Sequence, residues 1–316
     1  MKRFTIASML LRRVGALALC LAFSHAPLWA RSLNTGASFL RIDTGAWPSA
    51  MGGAYTAIAN DVNAMYYNPG GLANLTRREL GATHAQWLLN TTFDFIGYAQ
   101  PTTMGTFGLG VTRLGVGEQA GRDLNRQETG GFAASDTAYA LGFSRRGAFG
   151  SGDVGLGGSV KYLQSAIGEY SASAVAFDAG AQYRPAGSPL SLGMSVLNVG
   201  QGMKFLDQVD PLPLSVGIGA AYRFAGALQV ALDVRQDVYD QETSVSLGTE
   251  YAVLPAFSLR AGYASSAARQ SGASAGAFGG LGGGFGLKLG SYRADYTFTP
   301  FGQLGNAQRL SIGARF

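Results

Sequence analysis

The residues able to do covalent chemistry are few. The single cysteine, Cys20, and one of the two histidines, His25, lie in the first 30 residues, which leaves His84 as the one imidazole beyond them. A thiol nucleophile, a disulfide framework and a Cys/His metal site have no residues to build on. Gly272-Ala273-Ser274-Ala275-Gly276 fits G-x-S-x-G. That pattern presents a nucleophile only on a sharp strand-to-helix turn of an α/β sheet, and here it sits in a Gly/Ala/Ser loop. Gly150-Ser151-Gly152-Asp153-Val154-Gly155 fits G-x-G-x-x-G, yet no helical pattern follows to aim an N-terminus at phosphate. It reads as a turn entering a strand. A serine–histidine hydrolase inside the chain's lumen would need His84 as base. His84 shares a strand face with Gln86 and reads as an ordinary polar position. Asp207 and Asp210 read as solvated loop carboxylates. The expectation is no enzyme, no cofactor and no metal.

The other charged side chains are more informative. Lys161, Asp178, Gln182, Arg184, Asp233, Arg235, Glu250, Arg260, Arg293, Asp295, Arg309 and Arg315 each alternate with apolar neighbours. Seven are basic, four are acidic and Gln182 is neutral; both signs occur, so no one-sign ion pore is indicated. If the opposite face meets lipid, these groups must face water or pair with one another.

The elements that position them alternate with period two. Tyr292, Ala294, Tyr296 and Phe298 share one face, and Arg293, Asp295, Thr297 and Thr299 the other. Leu228 to Arg235 and Leu310 to Phe316 repeat the pattern. Fourteen such segments are expected, near 79–89, 92–100, 104–116, 136–145, 153–165, 172–184, 189–199, 212–223, 226–237, 241–252, 255–264, 276–289, 290–300 and 304–316. Twelve or sixteen stay open. Connections alternate between long (117–135, 166–171, 200–211, 265–275, 301–303) and short. Ten-residue two-faced strands with that alternation are the pattern of an antiparallel up-and-down transmembrane β-barrel. An aromatic final residue, Phe316, suits an assembly signal for such a barrel, which would make the assembly machinery a partner. Tyr98, Tyr162, Tyr183, Tyr222, Tyr251, Tyr263 and Phe298 fall near strand ends, where interfacial girdles sit.

Composition agrees. The 316 residues include 47 glycines and only 14% charged side chains, against a usual charged share of about 25%. A disordered chain is excluded. Residues 1–30 carry Lys2, Arg3, Arg12 and Arg13 and no acid, then a short apolar stretch and a small residue at Ala30. They read as a secretory signal peptide. Without those four of the 24 basic side chains, 20 stand against 19 acidic, which is no footprint for nucleic acid. Export and a barrel together point to the bacterial outer membrane and its lipid.

Residues 31–78 lack the alternation. They are too few to build their own core. They read as a plug inside the 79–316 barrel, with a loose periplasmic arm as the alternative. Asn68-Pro69-Gly70 suits a type II turn. The Gly279–Gly286 stretch suits either a bend that opens the wall or plain curvature.

Met51-Gly52-Gly53-Ala54-Tyr55-Thr56-Ala57-Ile58-Ala59-Asn60-Asp61, then Tyr67-Asn68-Pro69-Gly70-Gly71-Leu72-Ala73, resembles the N-terminal signature of the PorV/PorQ family of FadL-type outer-membrane barrels. Phe177 to Pro185, Leu197 to Gly200 with Leu212-Pro213-Leu214, and Tyr292 to Tyr296 with Pro300 to Asn306 are similar to the same family. The resemblance covers the whole chain after residue 30. It implies a fourteen-stranded barrel with an N-terminal hatch carrying Met51, Gly52, Gly53, Asn60, Asp61, Asn68, Pro69 and Gly70. It implies two jobs: passing small hydrophobic compounds through the lumen and sideways into the membrane, or handling secreted proteins in type IX secretion. The outside connections read as short, which favours the small hydrophobic compound over a secreted protein partner. Asp178, Arg184, Asp233, Arg235, Arg260, Arg293 and Asp295 are the candidate lumen residues.

Overall fold

A computed structural model describes residues 35–88, 91–122, 127–271 and 279–316. The signal segment 1–30 and the G-x-S-x-G stretch 272–276 lie outside the described residues. The strands are β1 (Glu79–Gln86), β2 (Thr91–Pro101), β3 (Thr106–Arg122), β4 (Glu128–Phe149), β5 (Gly152–Ile167), β6 (Tyr170–Pro185), β7 (Leu190–Gly200), β8 (Met203–Phe205), β9 (Gln208–Asp210), β10 (Ser215–Phe224), β11 (Leu228–Asp237), β12 (Glu242–Leu254), β13 (Phe257–Ala264), β14 (Leu281–Leu289), β15 (Tyr292–Pro300) and β16 (Asn306–Arg315). Fourteen of them form a closed antiparallel barrel, and β8 and β9 make a separate small hairpin. Each of the fourteen expected segments coincides with one barrel strand. Pairing of β1 with β16 closes the ring from Glu79↔Arg315 to Gln86↔Gln308. Closure leaves no sheet edge unpaired, which is what a strand wall in hydrocarbon requires.

The period-two pattern sorts side chains as expected. Leu80, Ile96, Leu109, Leu141, Ile218, Leu259 and Ile312 point outward and are 47–60% exposed. A soluble fold would bury a surface of that extent; lipid would cover it. The core lies inside the barrel, where Met51, Tyr55, Ile58, Val62, Met65, Tyr67 and Leu72 of the N-terminal segment pack against Phe95, Ala99, Ala221 and Ala231.

Three connections differ from expectation. The supposed long loop 117–135 is mostly strand: β3 and β4 stay paired to Arg122↔Glu128, past a register shift between Val116 and Gln119. Glycine and charged or polar residues leave little apolar alternation there, so backbone pairing went unseen. Residues 265–271 form a short helix, α3, from the helix-tolerant run Ser-Ser-Ala-Ala-Arg-Gln-Ser. Gly168-Glu169 is a tight turn, with Gly168 at φ +57°. Gly150-Ser151 is a turn leading into β5. The glycine-rich β14 does not open the wall. It pairs without a break with β13 and β15. Among the described residues the other register shifts fall at Gly121/Arg122, Phe177/Ala179 and Ala252/Leu254.

The inward glycines have a shared reason. They face the N-terminal segment at van der Waals distance. A Cβ on Gly248 would come 2.5 Å from the Met51 carbonyl oxygen. One on Gly157 would come 2.5 Å from the Pro69 oxygen, and one on Gly108 would come 2.7 Å from Met65 Sδ. Real Cβ atoms do not approach so closely, so these positions are glycine because another backbone lies there. Gly248→Val should destabilise the folded barrel by about 1–3 kcal/mol, the usual range for overpacking. Gly147→Ala, whose Cβ would make only an ordinary contact, should be neutral. Heat-modified mobility on gels checks both.

Candidate functional site

The candidate site is the contact between the N-terminal segment and the inward wall. The segment enters beside the β11–β12 connection. There Arg41 pairs with Asp240, and the Thr35 hydroxyl donates to Asp240 at 3.1 Å. It leaves at Glu79, at the opposite end, where the short turns lie. It therefore runs the length of the lumen. Its local structure is fragmentary: a 3-10 turn Ser38–Arg41, the one-turn helices α1 (Ala46–Ala50) and α2 (Ala64–Tyr67), and a 3-10 turn Pro69–Asn74. Such pieces leave many backbone groups without internal partners. Buried groups of this kind must find partners elsewhere.

The wall supplies them. Asp233 on β11 accepts the backbone N–H groups of Tyr55 and Thr56, at 2.9 and 2.8 Å on one oxygen. Ser311 on β16 accepts from Ala46 N–H at 2.8 Å, and the Thr297 hydroxyl donates to the Ala46 carbonyl. Gln182 on β6 donates to the carbonyls of Thr56 and Ala59 at 3.0 and 3.1 Å. The Ser144 hydroxyl donates to the Gly70 carbonyl at 3.1 Å. In the reverse direction Asn68 donates to Ala181 O in the wall and to Thr56 O in its own segment. Asn68-Pro69-Gly70 is not a type II turn. Asn68 caps the following 3-10 turn by accepting from Gly70 N–H at 3.0 Å, with proline as its first residue. Gly70 is needed for closeness, since a Cβ there would come 2.7 Å from Gly155 O. Gly52 and Gly53 do need positive φ, at +66° and +81°. Burial holds the phenols of Tyr66 and Tyr67 well above the usual tyrosine range, reinforced by the charge of Asp43.

A network of charges pins the segment near its exit. Asp61, fully buried, accepts from Arg293 at 2.7 Å. Arg293 also reaches Asp295 at 2.8 Å. Arg260 bridges Asp295 at 2.7 Å and Glu250 at 2.5 Å. Arg315 pairs with Glu79 at 2.7 Å and donates to the Asn60 carbonyl at 2.9 Å. Trp47 lies between two guanidiniums, 5.1 Å from Arg260 and 5.0 Å from Arg293. The candidate residues Asp61, Asn60, Arg260, Arg293 and Asp295 thus meet in one cluster, and Asp233 and Asn68 meet the segment elsewhere. Arg184 reaches it through Asn74 Oδ1 at 2.9 Å. Asp178 does not touch the segment. It holds Lys161 at 2.8 Å and accepts from Asn198 N–H at 2.8 Å, beside the β6–β7 register shift. Asn198 there has φ +62°. Arg235 lies on β11 opposite Gly217 and Ser244. Arg309 stacks on Trp87 at 4.7 Å. Phe316 exchanges backbone hydrogen bonds with Arg78 at 3.0 and 3.1 Å, and its ring points outward.

His84 sits on the outer face, 2.7 Å from Asp94, with both side chains well exposed. It does not line the lumen. Trp47, Asn74, Glu79, Thr297 and Ser311 take part and were not singled out from sequence. Trp47-Pro48 amid small residues was the one available signal.

Arg293→Met should leave Asp61 and Asp295 short of a buried partner. Breaking such a pair costs about 3–5 kcal/mol. Amide exchange at residues 55–62 should accelerate while β4 to β6 keep their protection. Arg293→Lys should fall between the two.

The family model described as "Uncharacterised protein family (UPF0164)" matches residues 34–200. No curated protein matches the chain. Several solved structures are similar. The toluene transporter TodX of P. putida aligns at TM-score 0.62 and 12% identity, over 86% of this chain and 98% of that one. The CymD monoaromatic hydrocarbon channel aligns at 0.58 and 12%, over 87% and 98%. The Ralstonia pickettii toluene transporter TbuX aligns at 0.58 and 13%, over 86% and 98%. At these identities the likeness is one of fold. The match across residues 34–200 places this chain in the uncharacterised protein family UPF0164.

Proposed function

We propose that this barrel sits in the bacterial outer membrane and passes small hydrophobic compounds across it. The observation that carries the reading is the apolar mouth at the long-connection end. Phe39, Leu40, Met203 and Leu212 cluster there against Ala172, Ala174 and Leu163. A small cavity of about 20 Å³ lies among Phe39, Leu40, Met65, Tyr66 and Phe95, with Thr112 and Lys161 also in its lining. TodX and TbuX are toluene transporters and CymD is a monoaromatic hydrocarbon channel, which supports it as analogy of fold. A ligand would collect at this mouth, the N-terminal segment would shift, and the ligand would leave through the wall. The β6–β7 register shift beside Asp178 and Asn198 is a better place for that exit than β14, whose ladder is unbroken. Kinship to the PorV/PorQ barrels is part of the same reading. So are the signal peptide at 1–30, the plug role of 31–78 and the hatch motif. We read the chain as no enzyme, since His84 faces outward beside an exposed Asp94.

One observation favours the second reading, a barrel that binds secreted proteins. β3 pairs with β2 only as far as Val116, and β4 with β5 only as far as Ala134. Beyond those points β3 and β4 continue paired with each other as a two-stranded ribbon, a larger outside surface than the sequence suggested. Stable co-purification with a secreted protein would favour it.

Uptake of radiolabelled toluene by a deletion strain carrying the gene checks the transport reading. Phe39→Asp should lower uptake about tenfold or more by burying a charge in the apolar cluster of Phe39, Leu40, Met203 and Leu212. Uptake unchanged from the deletion strain by the wild-type gene would overturn it.

A further inference from the structure

The balanced count of positive and negative side chains conceals a segregation by depth. At the short-turn end lies a cavity of about 540 Å³, between residues 74–79 and the turns at 255–256 and 290–291. The carboxylates that line it are engaged: Asp295 and Glu250 by Arg260, and Glu79 by Arg315. Nearer the rim the charges change. Lys288 and Arg77 line the cavity, are exposed, and have no carboxylate within ion-pair distance among the described residues. Lys288 stands directly opposite Arg293 across the β14–β15 ladder. Like charges in that position repel unless a counter-ion sits between them. Across the mouth, Arg146 and Arg184 converge on one acceptor, Asn74 Oδ1, at 3.4 and 2.9 Å. Arg223 follows on β10, held by Gln229 at 2.8 Å. The acid at this level is Asp153, opposite Arg184 in the register.

We propose that this mouth is an anion-binding vestibule for a small organic carboxylate, a site separate from the apolar mouth at the other end. A ring of cations at a pore mouth draws anions and rejects cations. The volume falls within the range of small-molecule sites, about 300–1,000 Å³. Leu75, Pro255 and Ala256 line its sides, which suits a carboxylate carried on an apolar body over a bare inorganic ion. The guanidiniums of Arg260 and Arg293 are already satisfied by protein carboxylates. The free Lys288 and Arg77 therefore carry the attraction.

The test uses the full chain in detergent, titrated with benzoate and with its neutral counterpart benzamide. Benzoate should bind about tenfold or more tightly, since charge-assisted hydrogen bonds are roughly twice as strong as neutral ones. Its affinity should fall as salt rises. Lys288→Gln with Arg77→Gln should weaken benzoate about tenfold, a change of about 1.4 kcal/mol. Neither residue joins the network that pins the N-terminal segment, so heat-modified mobility and toluene uptake should not change. Loss of toluene uptake with benzoate binding intact would count against the transport reading alone. Equal binding of benzoate and benzamide, or an unchanged benzoate affinity in the double variant, would overturn the proposal. So would displacement of benzoate by far lower concentrations of inorganic phosphate, which would assign the site to phosphate.

Discussion

A polypeptide segment without regular structure can be buried only if something else satisfies its backbone. That requirement governs this molecule. About forty residues pass through a closed barrel as two single-turn helices, two 3-10 turns and irregular links. The wall answers with side chains placed opposite particular peptide groups, such as Asp233 under the Tyr55 and Thr56 amides and Gln182 under two carbonyls. It also answers with absent side chains. Gly108, Gly157 and Gly248 are where the segment's atoms touch the wall. Barrel and segment are therefore complementary surfaces of one fold. The high glycine content follows from that contact as much as from strand curvature.

The charges obey the same logic. Buried ion pairs are costly to form and costly to break. Here they link segment to wall at Asp61–Arg293 and stiffen the wall at Arg260–Asp295. They therefore fix one arrangement of a segment that has little secondary structure of its own. Any displacement of the segment would have to disturb these contacts.

Much of the fold was legible because the strand period is two and a membrane wall has an apolar side. That pattern located all fourteen strands and separated Arg293 and Asp295 from Tyr292 and Ala294. It failed where apolar residues thin out. The β3–β4 extension is written mostly in glycine, alanine and charged or polar residues, and α3 in residues that also suit a loop. The site was legible by half. Alternation identified Asp233, Arg260 and Arg293 as inward-facing. It could not pair Arg293 with Asp61, which lies 232 residues away in a segment with no period. Glycine was read as a source of bending, when at β14 it makes room. A Cβ on Gly286 would come 2.6 Å from the Arg260 guanidinium and from Asp295. Balanced overall charge hid the cationic rim, because a count carries no depth.

The central claim of the proposed function is that the N-terminal segment, residues 35–78 of which pack inside the barrel, closes the lumen. Single-channel conductance in planar bilayers tests this most directly, comparing the full chain with a variant lacking 31–78 whose folding is verified by heat-modified mobility. The account predicts little conductance for the full chain and a clear rise for the variant. Equal conductance from two folded barrels would contradict it.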